Sequence, residues 1–122
     1  MKQLNYTLRL RITEQSAENK VFFGPGVAEL MDWINKEHQM SRACRKMGLS
    51  YSKGWRILKC AEEAWGAPLV EGHSGGERGG TMVLTDEGRQ LLARYKDMEQ
   101  ELDRAARRLF DRYFGTGGQN EP

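Results

Sequence analysis

Met40-Ser41-Arg42-Ala43-Cys44-Arg45-Lys46-Met47-Gly48-Leu49-Ser50-Tyr51-Ser52-Lys53-Gly54-Trp55 reads as two helices joined by a tight turn. Ser41 is a good N-cap for a short helix running to about Met47, and Gly48 suits the left-handed residue that ends it. Ser50 caps a longer helix, about Tyr51 to Trp65, which Gly66-Ala67-Pro68 stops. Ala43 is small where two helices must approach, Met47 and Leu49 flank Gly48 as core anchors, and Gly54 and Ile57 fall on the inner side of the second helix. Small and apolar residues at these spacings allow the steep crossing of a helix-turn-helix.

The charge of the stretch supports that reading. From Ser41 to Ala61 stand six basic residues (Arg42, Arg45, Lys46, Lys53, Arg56, Lys59) and no acidic one. The whole chain carries only +2, so the remainder carries −4. A local positive field on an otherwise acidic protein suits phosphates, although a solvated basic helix face would look alike. At 100° per residue, Tyr51, Gly54, Trp55, Leu58, Ala61 and Trp65 share the side expected to be buried. Ser52, Arg56, Lys59 and, toward the edge, Lys53 share the other. Arg suits guanine O6 and N7 in the major groove, while Ser and Lys suit phosphates. Glu62 and Glu63 come only in the last turns, where such a helix would leave the groove.

Upstream, Asn5 to Thr13 alternates Tyr6, Leu8, Leu10 and Ile12 with Thr7, Arg9, Arg11 and Thr13, the pattern of a half-buried strand. Val21-Phe22-Phe23 is its expected return strand. Pro25 opens a helix carrying Val27, Leu30, Met31 and Ile34 at helical spacing, which should end near His38. Downstream, Leu69-Val70 and Thr81-Met82-Val83-Leu84 read as two short strands around the glycine-rich Gly72 to Gly80. Thr85 caps a last helix running to about Phe114, with Asp86 and Glu87 in its first turn. Leu91, Tyr95, Met98, Leu102, Ala105 and Leu109 recur at spacings of 4, 3, 4, 3, 4. That is a heptad seam, and a helix of about 28 residues reaches roughly 42 Å, longer than a core of this size covers. Part of the stripe is therefore expected to meet another chain.

The expected fold is α+β, mainly helical: a winged helix-turn-helix with an N-terminal β-hairpin and a long C-terminal dimerisation helix. One domain spans 1–114, with the hairpin at 1–23, three helices at 24–66, the wing at 69–84 and the long helix at 85–114. The polar tail 115–122 is expected to be disordered. A length of 122 residues fits one domain, and 39% apolar against 30% charged residues suits a globular protein. No apolar run is long enough to span a membrane and no signal peptide opens the chain. Two cysteines sixteen positions apart make no disulfide framework, so the cytoplasm is the expected compartment.

Chemistry beyond binding finds little support. Gly75-Gly76-Glu77-Arg78-Gly79-Gly80 lacks the Gly-Lys-Ser/Thr of a phosphate loop and lies between strands, so it reads as a wing tip presenting Arg78 to a minor groove or phosphate. His38 and His73 have no acidic or nucleophilic partner at recognisable spacing. Cys44 and Cys60 lack metal-ligand spacing and read as packing residues, with redox reactivity at Cys60 a minor alternative. No catalytic residue, metal ligand or cofactor is expected, and the chain reads as no enzyme.

Met40 to Trp55, above all its Gly48-Leu49-Ser50-Tyr51 followed by Trp55, resembles the helix-turn-helix of the ModE-type molybdate-responsive repressors. The likeness continues through Leu69-Val70-Glu71, the glycine-rich wing and Val83-Leu84-Thr85-Asp86-Glu87-Gly88-Arg89, covering about Val21 to Tyr95. It is shared more weakly with the LysR-type DNA-binding domain. The resemblance implies a prokaryotic transcription regulator that binds double-stranded DNA and dimerises through its N-terminal strands and last helix. By matching positions, Ser50, Tyr51, Ser52, Lys53 and Arg56 would open the recognition helix and Arg78 would sit in the wing. Full-length members place molybdate in C-terminal oxyanion-binding domains, and no molybdate site is visible in this chain. Arg42, Arg45, Lys53 and Lys59 are expected on phosphates, with Ser52 and Arg56 reading bases. A winged helix serving as a protein-interaction module is the alternative.

Overall fold

The computed structural model describes residues 2–15, 20–73 and 80–115. Extended backbone at Gly24 and the fixed φ of Pro25 start helix α1, Pro25–Glu37, which buries Ala28, Leu30, Met31 and Ile34. His38 ends it in the left-handed conformation at φ 59°, its N–H donating to the Ile34 carbonyl. Helix α2, Met40–Met47, follows after two residues and closes on Gly48 at φ 68°. Helix α3, Tyr51–Trp65, is capped by Ser50, whose hydroxyl accepts from the Lys53 N–H at 3.1 Å. Ser41, the expected cap of α2, lies inside that helix instead, and Gln39 precedes the first turn without a side-chain cap. The reason is packing: starting at Met40 turns that side chain into the core, where it is 4% exposed.

Strands β3 (Val70–His73) and β4 (Thr81–Leu84) pair antiparallel, Val70 opposite Leu84 and His73 opposite Thr81. The first of these strands starts one residue later than Leu69. The Glu62 carboxylate of α3 accepts from the Leu69 N–H at 2.8 Å and the Val70 N–H at 3.4 Å, which pins this corner to α3. The Met82 N–H reaches the His38 carbonyl at 2.7 Å, tying the wing to the corner between α1 and α2. Helix α4, Asp86–Phe114, is capped by Thr85, whose hydroxyl accepts from the Gly88 N–H and donates to the Pro68 carbonyl at 2.7 Å. Gly88 lies against the Leu69 carbonyl with no room for a Cβ, so the helix starts in direct contact with the residue that leads into the wing's first strand.

The N-terminal hairpin is shorter than the alternation predicts. Strand β1 holds only Ile12–Thr13, paired antiparallel with β2, Val21–Phe23. Tyr6 to Leu10 run instead as an arm along α4. The Tyr95 hydroxyl donates to the Leu10 carbonyl at 2.7 Å, and the Tyr6 hydroxyl donates to Asp103 Oδ1 at 2.5 Å. The Tyr6 ring also meets Phe110, centroids 5.2 Å apart. Side-chain contacts to a helix replace the ladder of a strand, and Leu4 and Leu8 stay largely exposed.

One core joins α1, α2, α3, the wing and the first third of α4. Phe23, Leu30, Met31, Ile34, Leu58, Leu69 and Tyr95 are almost fully buried in it. The arrangement is the mainly helical α+β winged helix-turn-helix that the sequence predicts. Of the expected tail, Gly115 caps α4 and the rest lies outside the described residues.

Candidate nucleic-acid interface

The turn between α2 and α3 is set by close contact. A Cβ at Gly54 would overlap Cys44 Sγ, with Met40 Sδ 3.6 Å away, so α3 crosses α2 with almost nothing between the two backbones. The Leu49 N–H returns to the Cys44 carbonyl at 2.9 Å and fixes the exit from α2. Burial drives the Cys44 thiol pKa upward, which keeps it neutral and suits a packing role.

With Gly54, Leu58 and Ala61 buried, the opposite side of α3 presents Ser52, Lys53, Arg56 and Lys59 to solvent. Arg42 and Arg45 are exposed on α2. Tyr51 was expected inside but is 56% exposed, its ring packed edge-on to Trp55 at 6.4 Å. Gly54, in the same turn, is buried against Cys44, whereas Tyr51 at the first position of the helix stays outside the core. Trp55 and Trp65 are half-buried. Ser50, expected as a contact, is exposed with its hydroxyl engaged at the cap. Arg78 and the wing tip lie outside the described residues. Cys60 is free and exposed on α3.

Among the described residues Arg42, Arg45, Lys53 and Arg56 form no ion pair, whereas Arg89, Lys96 and Arg107 pair with Asp86, Asp32 and Asp103. Lys59 is the partial exception, 3.8 Å from Glu62 Oε1 and over the Trp55 ring at 5.7 Å. Exposed cations without an ion pair also occur elsewhere among the described residues, at Arg9, Arg94 and Arg108, but here they stand together in a stretch, 41–61, that holds no acidic residue. Guanidinium and ammonium groups without protein partners keep their donors for phosphate oxygens and base edges. Among the described residues no three His, Cys, Asp or Glu side chains group as metal ligands would. No helix there is long and apolar enough to cross a membrane.

The expected heptad seam divides into two parts. Leu91 and Tyr95 are 4% and 1% exposed inside the chain's own core. Beyond them Met98 is 49% and Leu109 47% exposed, with Leu102 and Ala105 half-buried between. The N-terminal arm covers the neighbouring flank of Asp103 and Phe110, shares a cavity with Glu99 and Leu102, and leaves Met98 and Leu109 open. Seam spacing alone does not tell which part of an apolar stripe its own core takes.

Residues 28–89 match the family described as bacterial regulatory helix-turn-helix protein, lysR family. Among curated proteins the chain is similar to the molybdenum transport protein ModE of Azotobacter vinelandii, 35% identical over 83 residues, which are 68% of this chain and 31% of that protein. It is also similar to two molybdenum-pterin-binding proteins of Rhodobacter capsulatus. MopB is 36% identical over 70 residues, 57% of this chain and 26% of that protein. MopA is 32% identical over 76 residues, 62% and 29% of the two chains. The matched stretch is less than a third of the length of each of these relatives.

Proposed function

Because the chain belongs to the lysR family of bacterial regulatory helix-turn-helix proteins, we propose that it acts in the cytoplasm as a homodimeric transcription regulator binding double-stranded DNA at specific sequences. The observation that carries this reading is the row of unpaired cations, Arg42, Arg45, Lys53 and Arg56, on the outer faces of two helices locked together at Gly54 and Cys44. Seated in a major groove, α3 brings Ser52 and Arg56 to base edges, while Lys53 and the two arginines of α2 meet phosphates. Tyr51, exposed at the start of α3, is placed to pack on the sugar-phosphate edge. Arg78 in the wing would reach the adjacent groove.

Dimerisation uses the open stripe of α4. Two copies packed antiparallel about the midpoint of Leu102 and Ala105 place Met98 of one against Leu109 of the other. That register also sets Glu101 of one copy beside Arg108 of the other, twice by symmetry, and both side chains are exposed and without an ion pair among the described residues. A parallel pairing brings Glu101 beside Ala106 instead, so charge favours the antiparallel arrangement. A symmetric dimer should engage half-sites about 34–36 Å apart, one helical turn.

The reading involves no catalysis, and the metal in the relatives' names is not carried over to this chain. Selecting bound sequences from a random duplex pool tests the reading. Enrichment of an inverted repeat with half-sites one turn apart is the expected result. Recovery of unenriched sequence would contradict it and favour a protein-interaction module.

A further inference from the structure

A second cationic feature lies on the far flank of α2. Trp33 of α1 is half-buried, and two ammonium groups stand over its ring: Lys36 Nζ at 5.0 Å from the centroid and Lys46 Nζ at 5.5 Å. Each gains from the ring's negative face, yet two like charges gathered on one indole repel each other. Neither lysine forms an ion pair among the described residues. Of the three acidic groups of α1, Glu37 forms no ion pair among the described residues and the other two are engaged. Glu29 accepts from the Trp33 indole N–H at 3.4 Å, and Asp32 is held by Lys96 at 2.6 Å. An anion within reach of both ammoniums would be attracted by each.

The position of this pair relative to α3 identifies the anion. One flank of α2 meets α3 where Cys44 lies on Gly54, and the other meets α1 where Lys46 lies on Trp33. Arg42 and Arg45 stand exposed between them. The cations therefore form a track from α3 over the crest of α2 to Lys46 and Lys36. An α-helix with its side chains is about 10–12 Å wide, so the end of the track lies roughly three base pairs beyond the crest at about 3.4 Å per step.

The geometry points to a second phosphate contact: Lys36 and Lys46, bracketing Trp33, clamp the duplex backbone that flanks the recognised sequence. The inference rests on the DNA reading above and adds to it a footprint longer than α3 and α2 can cover. It also requires the flanking duplex to bend toward α1, which flexible steps outside the half-site would favour.

Two duplexes test it, both carrying the site selected from the random pool. One ends at the edges of the site, and the other continues for about five base pairs on each side, enough to reach the flank. For the unaltered chain the longer duplex should bind with a steeper log–log salt dependence, by about 2–4 in slope for a dimer holding two to four extra phosphates. The double variant Lys36→Gln, Lys46→Gln should lose that increment and bind the short duplex with unchanged slope. Both substitutions are on exposed side chains, and the short-duplex slope reports that the variant is folded. An unaltered chain showing no flank increment, or a double variant keeping it, overturns the clamp. A chain that binds neither duplex at low salt overturns the DNA reading itself.

Discussion

Gly54 and Cys44 occupy adjoining space so completely that any Cβ at position 54 would overlap the Cys44 sulfur. This contact sets how α3 stands on α2 and therefore where Ser52 and Arg56 point. Gly54→Ala should cost about 1–3 kcal/mol from overpacking, lowering Tm by several degrees in a chain of this size. Adding Cys44→Ala removes the obstructing sulfur and should return part of that stability. Thermal unfolding of the two single variants and the double variant checks it, and strictly additive losses would mean that the two residues do not share this space.

The roles on α3 separate by sequence dependence. Arg56 is exposed and unpaired, so Arg56→Ala should cost about 1–3 kcal/mol on the selected site and relax the preference at one base position. Lys59 is already drawn toward Glu62 and Trp55. Lys59→Ala should therefore weaken all duplexes alike and by less. Equal losses on selected and random duplexes for Arg56→Ala would take it out of base reading.

The dimer has a charge signature. Arg108→Glu alone should weaken self-association by roughly 1–2 kcal/mol over two symmetric contacts, about five- to thirtyfold in dimer Kd. Glu101→Arg with Arg108→Glu restores opposite charges across an antiparallel pair and should recover the native Kd. Sedimentation equilibrium measures both. A double variant no tighter than the single one would exclude the antiparallel register.

Tyr95 links stability to alkaline pH. Burial first, and then the negative charge of Glu99, push its pKa up to about 12, while its hydroxyl donates to the Leu10 carbonyl. The unfolded chain ionises this group near 10, so its contribution is complete below pH 10 and is lost as pH rises from about 10 to about 12. Tyr95→Phe should cost about 1 kcal/mol at neutral pH through the lost hydrogen bond. The gap between Tyr95→Phe and the unaltered chain should then narrow across that window. Denaturant unfolding at a series of pH values measures it, and a gap constant from pH 9 to 12 would contradict the assignment.

Local signals carried most of the fold into the sequence. Pro25, Gly48, Ser50, Gly66 and Thr85 act on their own backbones or on residues a turn away, and each bounds a helix in the structure as its chemistry predicts. What escaped depends on partners far along the chain. The arm alternates like a strand, but Tyr6 and Leu10 find their partners 97 and 85 residues away on α4. The seam of α4 reads as continuous because spacing is blind to which apolar positions the chain's own core takes. For the site, the basic run marked α2 and α3, and helical geometry separated Ser52, Arg56 and Lys59 from Leu58 and Ala61. Trp33 with Lys36 and Lys46 was not legible, because their meeting depends on how α1 packs on α2.

The central claim is that the unpaired cations of α2 and α3 hold a phosphate backbone. Its most direct test is the affinity of the chain for duplex DNA as a function of salt. The account predicts tight binding at low salt that weakens linearly on a log–log plot, with a slope of about −0.9 for each phosphate held. Neutralising Arg42 and Arg45 together should flatten that slope. No measurable duplex affinity at low salt, or an affinity indifferent to salt, would contradict it.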